Sequence, residues 1–186
     1  MLWLTVIEWL ARLVLVLLIL LSFWSITIII ERKRFFKELK LPGIEDRNLI
    51  KSKQFPTNHL VQDFFQEAKK LKNSESIEKA FDVFVNDQRK ELEKGLPILG
   101  TLGSTTPFIG LLGTILGIIV SFGELSQGAG STNSVMFSLA EALILTAVGL
   151  VVAIPAVIAF NFFSKKAKSV LAEMATLKDL YIAYKD

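Results

Sequence analysis

In the stretch "SLAEALILTAVGLVVAIPA", residues 138–156, Glu141 is the one carboxylate among apolar and small side chains. An ionised group in hydrocarbon is costly and marks an ion path, a relay or a contact between subunits. Two hydroxyls accompany it. Thr114 lies ten residues before Glu124, where a polar turn begins, and Thr146 lies eleven residues after Val135, where the apolar run resumes. At about 1.5 Å of rise per residue both sit roughly 15 Å below the turn, near the middle of a ~30 Å hydrocarbon core. Antiparallel helices would bring the two hydroxyls to one level. A single threonine bonds its own backbone readily, so the matched pair, rather than either residue, points to a shared polar layer. Glu141 lies about six residues, or ~9 Å, below the turn and about 140° around the axis from Thr146. It therefore belongs off the threonine face, towards a neighbouring subunit, a solvated vestibule or the interface to which long acids snorkel. Lysine and arginine are absent from this half of the hairpin, so the sequence offers no intrachain cation there to neutralise it.

The positions around these residues repeat with helical period. In "GSTTPFIGLLGTILGIIVSF" the small residues Gly103, Pro107, Gly110, Thr114, Gly117 and Ser121 share a face; in the later stretch Ser138, Ala142, Thr146, Gly149, Ala153 and Ala156 do the same. Small residues at this spacing let backbones approach closely inside a membrane. Gly110, Gly113, Gly117 and Gly149 are thus expected at helix contacts. Pro107 and Pro155 each remove one backbone hydrogen bond and offer hinge points.

Three charge-poor apolar blocks carry these residues: 13–30, 96–122 and 142–163. Each is long enough to cross a bilayer as a helix. With 186 residues, 52% of them hydrophobic, the chain is expected to be an all-α membrane protein with three transmembrane helices. The first block has no small-x-small cleavage pattern and basic residues follow it, so it is expected to remain as a helix. Of the 21 Lys and Arg residues, 15 fall between Glu31 and Lys94 and five after Ser164, with Arg12 the remaining one. The turn "GELSQGAGSTN" has none. The positive-inside rule then places the long loop and the C-terminus in the cytoplasm and the N-terminus and turn on the other side.

Between the first two crossings, "LPGIEDRN" breaks the first helix at Pro42–Gly43. Two amphipathic helices follow, one with Leu60, Phe64, Ala68 and Leu71 on a face, the other with Ile77, Phe81, Phe84, Val85 and Leu92 and a serine as its cap. This loop is too small to build a core alone and is expected to pack on cytoplasmic helical extensions or on other copies. Val170, Met174, Leu177, Tyr181 and Tyr184 form a further stripe, on a helix running on from the third crossing. The expected organisation is a first crossing with its extension (1–40), a cytoplasmic helical region (41–95), a transmembrane hairpin (96–163) and a helical tail (164–186). There is no cysteine, and the one histidine, His59, is expected on the surface. No catalytic constellation, cofactor motif, metal cluster or nucleic-acid-binding stripe is present in the sequence, so an enzyme is not expected.

The segments "TPFIGLLGTILGIIVSF" and "SLAEALILTAVGLVVAIPAVIAFNFF" resemble the ExbB/TolQ family of bacterial inner-membrane proteins, with the flagellar stator protein MotA a more distant relative. The resemblance implies a proton-driven motor subunit, pentameric around helices of an ExbD- or TolR-type partner whose membrane aspartate takes up the proton. TonB or TolA would be the further partner. By motif, Thr114 and Thr146 match the family's polar pore residues, Glu141 its transmembrane glutamate, Pro155 its proline and Asn161 its asparagine near the cytoplasmic end. A relay across the midplane needs a protonatable group that this chain lacks there, so a partner must bring it. The alternatives are a non-conducting scaffold that clusters partner helices and a MotA-like stator subunit.

Overall fold

The computed structural model describes residues 2–71, 73–126, 128 and 131–185. Gln127, Ala129 and Gly130 of the expected turn lie outside the described residues. Six helices follow one another: α1 (Leu2–Glu38), α2 (Ile44–Lys51), α3 (His59–Ala68), α4 (Ser74–Glu93), α5 (Leu96–Ser126) and α6 (Thr132–Tyr184). Of these, α1, α5 and α6 are long and apolar enough to cross a membrane, and between 22% and 33% of their most apolar stretches is buried within the chain. Trp3, Phe23, Phe108, Phe137, Leu143 and Val151 are all more than half exposed. That much outward apolar surface needs lipid or other subunits against it. Contacts group the chain into two units: Met1–Glu31 with Pro97–Asn161, and Arg32–Leu96 with Phe162–Asp186.

In the first unit the glycines fix the register. A Cβ placed on Gly103 would strike Val157, and one on Gly117 would lie 2.5 Å from the Ala142 Cβ. From Gly103 to Gly117 α5 advances fourteen residues, while from Val157 to Ala142 α6 retreats fifteen, so the two helices run antiparallel without a slip. Between those points the backbones themselves meet. A Cβ on Gly110 would stand 2.7 Å from the Leu145 carbonyl oxygen, and one on Gly149 2.7 Å from that of Thr106. The first helix packs on α5 in the opposite sense. A Cβ on Gly113 would lie 3.1 Å from Val14 Cγ1, and one on Gly123, ten residues on in α5, would strike Leu4, ten residues back in α1. Gly113 would also meet Leu145 Cδ1 at 2.8 Å, so it sits where all three helices converge.

The second unit has a true core, with the C-terminal part of α6 as its spine. Val170, Met174 and Leu177 are fully enclosed there. Phe36 stacks on Phe163 with ring centroids 5.5 Å apart, and Lys166 Nζ donates to the Phe36 carbonyl at 3.1 Å. Phe65 of α3 meets Tyr181 edge-on at 5.1 Å, and Phe64 packs on Phe81 and Phe84 of α4. Burial raises the Tyr181 phenol above its usual pKa, so it stays neutral. Arg47 of α2 forms a two-pronged pair with Glu173 of α6. The loop between the first two crossings therefore packs on the extension of the third.

Several local details differ from the sequence reading. The segment after Pro42–Gly43 is not simply a break, because α2 forms there. Asp46, buried, accepts from the Gly43 N–H at 3.1 Å and from the Asn58 N–H at 3.3 Å. Asn58 in turn caps α3 by accepting from the Leu60 N–H and donates to the Lys40 carbonyl. These two side chains satisfy the loop backbone that an apolar pattern cannot register. On α3 the buried residues are Val61, Phe64, Phe65 and Ala68, with Leu60 only half-buried. The helix has neighbours on two sides, α4 and α6, so its covered face is wider than one stripe. Asn73, rather than a serine, caps α4 by accepting from the Glu75 N–H. Gly95 links α4 to α5 at φ 74, a conformation that favours glycine.

Gly110→Ala should destabilise the protein by about 1–3 kcal/mol, since its Cβ meets backbone that cannot rotate away. Gly100→Ala is the contrast: its Cβ meets the ring of Phe160 at 3.3 Å, and a side chain can yield. Thermal unfolding of the purified protein in detergent tests this. Equal midpoints for the two variants would remove the backbone contact as a determinant of stability.

Candidate functional site

The close approach of α5 and α6 puts two hydroxyls face to face. Thr114, 5% exposed, and Thr146, half-buried, have their Oγ1 atoms 3.4 Å apart. This is long for a hydroxyl–hydroxyl bond and correspondingly weak. Its direction follows from proton counting. Thr114 has one hydroxyl proton and donates it to the Leu111 carbonyl at 2.7 Å, so towards Thr146 it can only accept. Thr146 spends its own proton on Thr114, which leaves its lone pairs unspent. The pair therefore presents an acceptor on the more open side, that of Thr146. The other hydroxyls of these helices behave differently. Thr106, Ser121 and Ser126 donate to the carbonyls of Leu102, Gly117 and Gly123, each within its own helix. Such bonds are local and leave the neighbouring helix untouched.

Glu141 lies towards the turn end of the same unit. It lines a cavity of about 350 Å³ together with Glu8 and Arg12 of α1 and Glu124 of α5. The hairpin itself brings no cation to this cavity; Arg12 comes from α1. Arg12 is bound to Glu8 at 2.6 Å, one helical turn away, and both side chains are substantially exposed. An exposed pair of this kind contributes little to stability, so its place in the cavity matters more than its strength. Nothing in the hairpin's own sequence indicates this cation. The only signal is the Glu8–Arg12 spacing of four inside a long apolar helix.

The remaining sequence candidates are dispersed. Gly110, Gly113, Gly117 and Gly149 lie at helix contacts as described above. Pro107 is half-buried within α5 and Pro155 is exposed within α6, and both helices continue through them. Asn161 is exposed at the end of the first unit, and His59 is exposed at the start of α3. No group of histidines, cysteines or acids suited to hold a metal is found among the described residues.

The two regions should differ in access to water. In this cysteine-free chain, Glu141→Cys should react with a membrane-impermeant thiol reagent at least about tenfold faster than Thr114→Cys, because thiolate reactivity follows exposure. Labelling rates followed by mass spectrometry test this, and equal rates would mean the cavity does not open to solvent.

Comparison with known proteins fits this arrangement. Residues 52–176 match the MotA/TolQ/ExbB proton channel family. The chain is 45% identical over 109 residues to the biopolymer transport protein ExbB of Xanthomonas campestris pv. campestris, covering 57% of this chain and 42% of that one. It is 42% identical over 110 residues to the Tol-Pal system protein TolQ of Pseudomonas aeruginosa, covering 59% and 48%. With the ExbB of Neisseria gonorrhoeae the identity is 31% over 147 residues, covering 72% and 67%. The chain thus spans less than half the length of the first two relatives and two thirds of the third. The matched residues include Thr114, Thr146, Glu141 and the Gly110–Gly149 contact, whereas Glu8 and Arg12 precede them. On the strength of that match, which carries the threonine pair on its close-packed hairpin, this chain belongs to the MotA/TolQ/ExbB proton channel family.

Proposed function

We propose that the chain is the channel subunit of an inner-membrane motor driven by the proton-motive force. In this reading the basic segments lie in the cytoplasm, and the N-terminus and the 123–133 turn face the periplasm. Five copies surround the helices of an ExbD- or TolR-type partner, and proton passage moves those helices. The output is TonB- or TolA-dependent work at the outer membrane. Three features support this: the family, the outward apolar surface that calls for lipid and neighbours, and the distribution of Lys and Arg.

The observation that carries the mechanism is the directed hydroxyl pair, Thr146 to Thr114 to the Leu111 carbonyl. Its open side offers lone pairs, so its complement is a donor. A carboxylic acid on a partner helix is a donor only when protonated. The pair therefore stabilises the partner aspartate in its neutral state at the depth where an ionised one is most costly. Losing the proton removes the donor and weakens that contact, which frees the partner helix to move on. Glu141 and its cavity, nearer the turn, are the route by which protons reach this level. No covalent chemistry is involved, and the chain's part is to bind, orient and exclude.

Thr114→Val and Thr146→Val should each lower proton flux by roughly tenfold or more at equal complex abundance, the scale of one unsatisfied buried polar contact. Valine keeps the β-branch and nearly the volume, so assembly should survive. The double variant should be no worse than the poorer single one, because the residues act as one unit. Flux measured in proteoliposomes containing the chain and its partner tests this. Wild-type flux in both single variants would remove the hydroxyl pair from the mechanism.

A further inference from the structure

Arg12 is the one Lys or Arg outside the two basic segments, and it stands directly before the apolar block 13–30 of α1. A lone cation there is expensive unless a counter-charge holds it. Glu8 does so through one terminal nitrogen, while a guanidinium carries five donors in a fixed fork. Arg12 also lines the cavity shared with Glu124 and Glu141, a volume large enough for about ten waters or for an arginine side chain to swing. Three carboxylates and one guanidinium cannot all be matched at once. The fork of the guanidinium therefore has more than one carboxylate to choose between.

We propose that Arg12 is the positioning residue for Glu141, passing within the cavity between Glu8, where the structure holds it, and the Glu141 carboxylate. With Arg12 on Glu8, the guanidinium leaves the Glu141 carboxylate to the rest of the cavity. With Arg12 on Glu141, the guanidinium fork holds that carboxylate in a fixed orientation. The other charged groups among the described residues that line the cavity are Glu8 and Arg12 of α1 and Glu124 of α5; α6 contributes only Glu141 itself. The inference rests on the proton-conducting function proposed above, and Arg12 and Glu8 fall outside the residues that match the family.

The absence of cysteine makes charge replacement clean. In proteoliposomes holding the complete complex, Arg12→Cys should lower flux about tenfold, the scale of a lost hydrogen bond to a charged group. Treatment with aminoethyl methanethiosulfonate, which restores an ammonium, should recover most of it; methyl methanethiosulfonate, which is neutral, should not. Arg12→Lys should retain more than half of wild-type flux. Rescue by the neutral reagent as well, or wild-type flux in Arg12→Cys, would overturn the proposal in favour of a packing role. Thr146→Val measured in the same preparation separates the two levels. If it conducts like wild type, only the hydroxyl pair leaves the mechanism; absence of proton flux in the wild-type complex is what would sink the proposed function, whatever Arg12 does. An arm independent of flux is cross-linking of the Arg12→Cys/Glu141→Cys variant by a short bis-maleimide within one chain. No cross-link there would overturn the proposal even with the channel function intact.

Discussion

The backbone contact between Gly110 and Gly149 is the constraint on which the membrane unit depends. Helices in lipid gain nothing from hiding apolar surface, since lipid tails are as apolar as leucine, and they associate through close packing instead. Here the packing is closer than any side chain permits, with carbonyl oxygens of one helix 2.7 Å from where a Cβ on the other would be. Thr114 is one turn from Gly110, and Thr146 is one turn from Gly149 on the facing helix. Their 3.4 Å separation is already at the long end of hydrogen bonding. Widening the helix pair by even a methyl group's radius would end the contact. The glycines therefore position the hydroxyls, and this is how a packing motif becomes a functional one.

The two units solve the same backbone problem in different solvents. In the second unit, polar side chains tie distant segments together: Asp46 and Asn58 hold the loop, Arg47 reaches Glu173, and Arg32 donates to the Glu91 carbonyl near the end of α4, where a cation complements the helix dipole. In the first unit, Thr106 and Ser121 turn inward on their own helices. A hydroxyl bonded to its own backbone is chemically silent towards a neighbour, so it can be buried in hydrocarbon without specifying anything. Thr146 is the exception, and its bond crosses from one helix to another.

Much of the membrane unit was legible in the sequence because its rules are periodic. Small residues every three or four positions mark the contact face, and equal distances from the turn place Thr114 opposite Thr146. The eight residues of α2 are not legible in this way, because they depend on Asp46 and Asn58 accepting and donating across a loop rather than on an apolar period. Nor is the full buried face of α3, because period reveals one partner and α3 has two. That Arg12 shares a cavity with Glu141 is not legible in the sequence for a plainer reason. The residues lie far apart in the chain, and nothing in either helix alone specifies how α1 is rotated about its axis.

That rotation is set by Gly113 and Gly123, which receive Val14 and Leu4. Leu4 and Val14 are ten residues apart on α1, and between them Glu8 and Arg12, one turn apart, line a cavity with Gly117 and Val120 of α5. The glycines that let α1 approach thus accompany the placement of Glu8 and Arg12 in the cavity that Glu141 also lines. A bulkier residue at Gly113 would meet Leu145 and Val14 together, so one position couples the spacing of the hairpin to the placement of the cation. Close packing at the midplane and charge placement near the turn are consequently one structural problem. A sequence change that loosens the first disturbs the second without touching any charged residue.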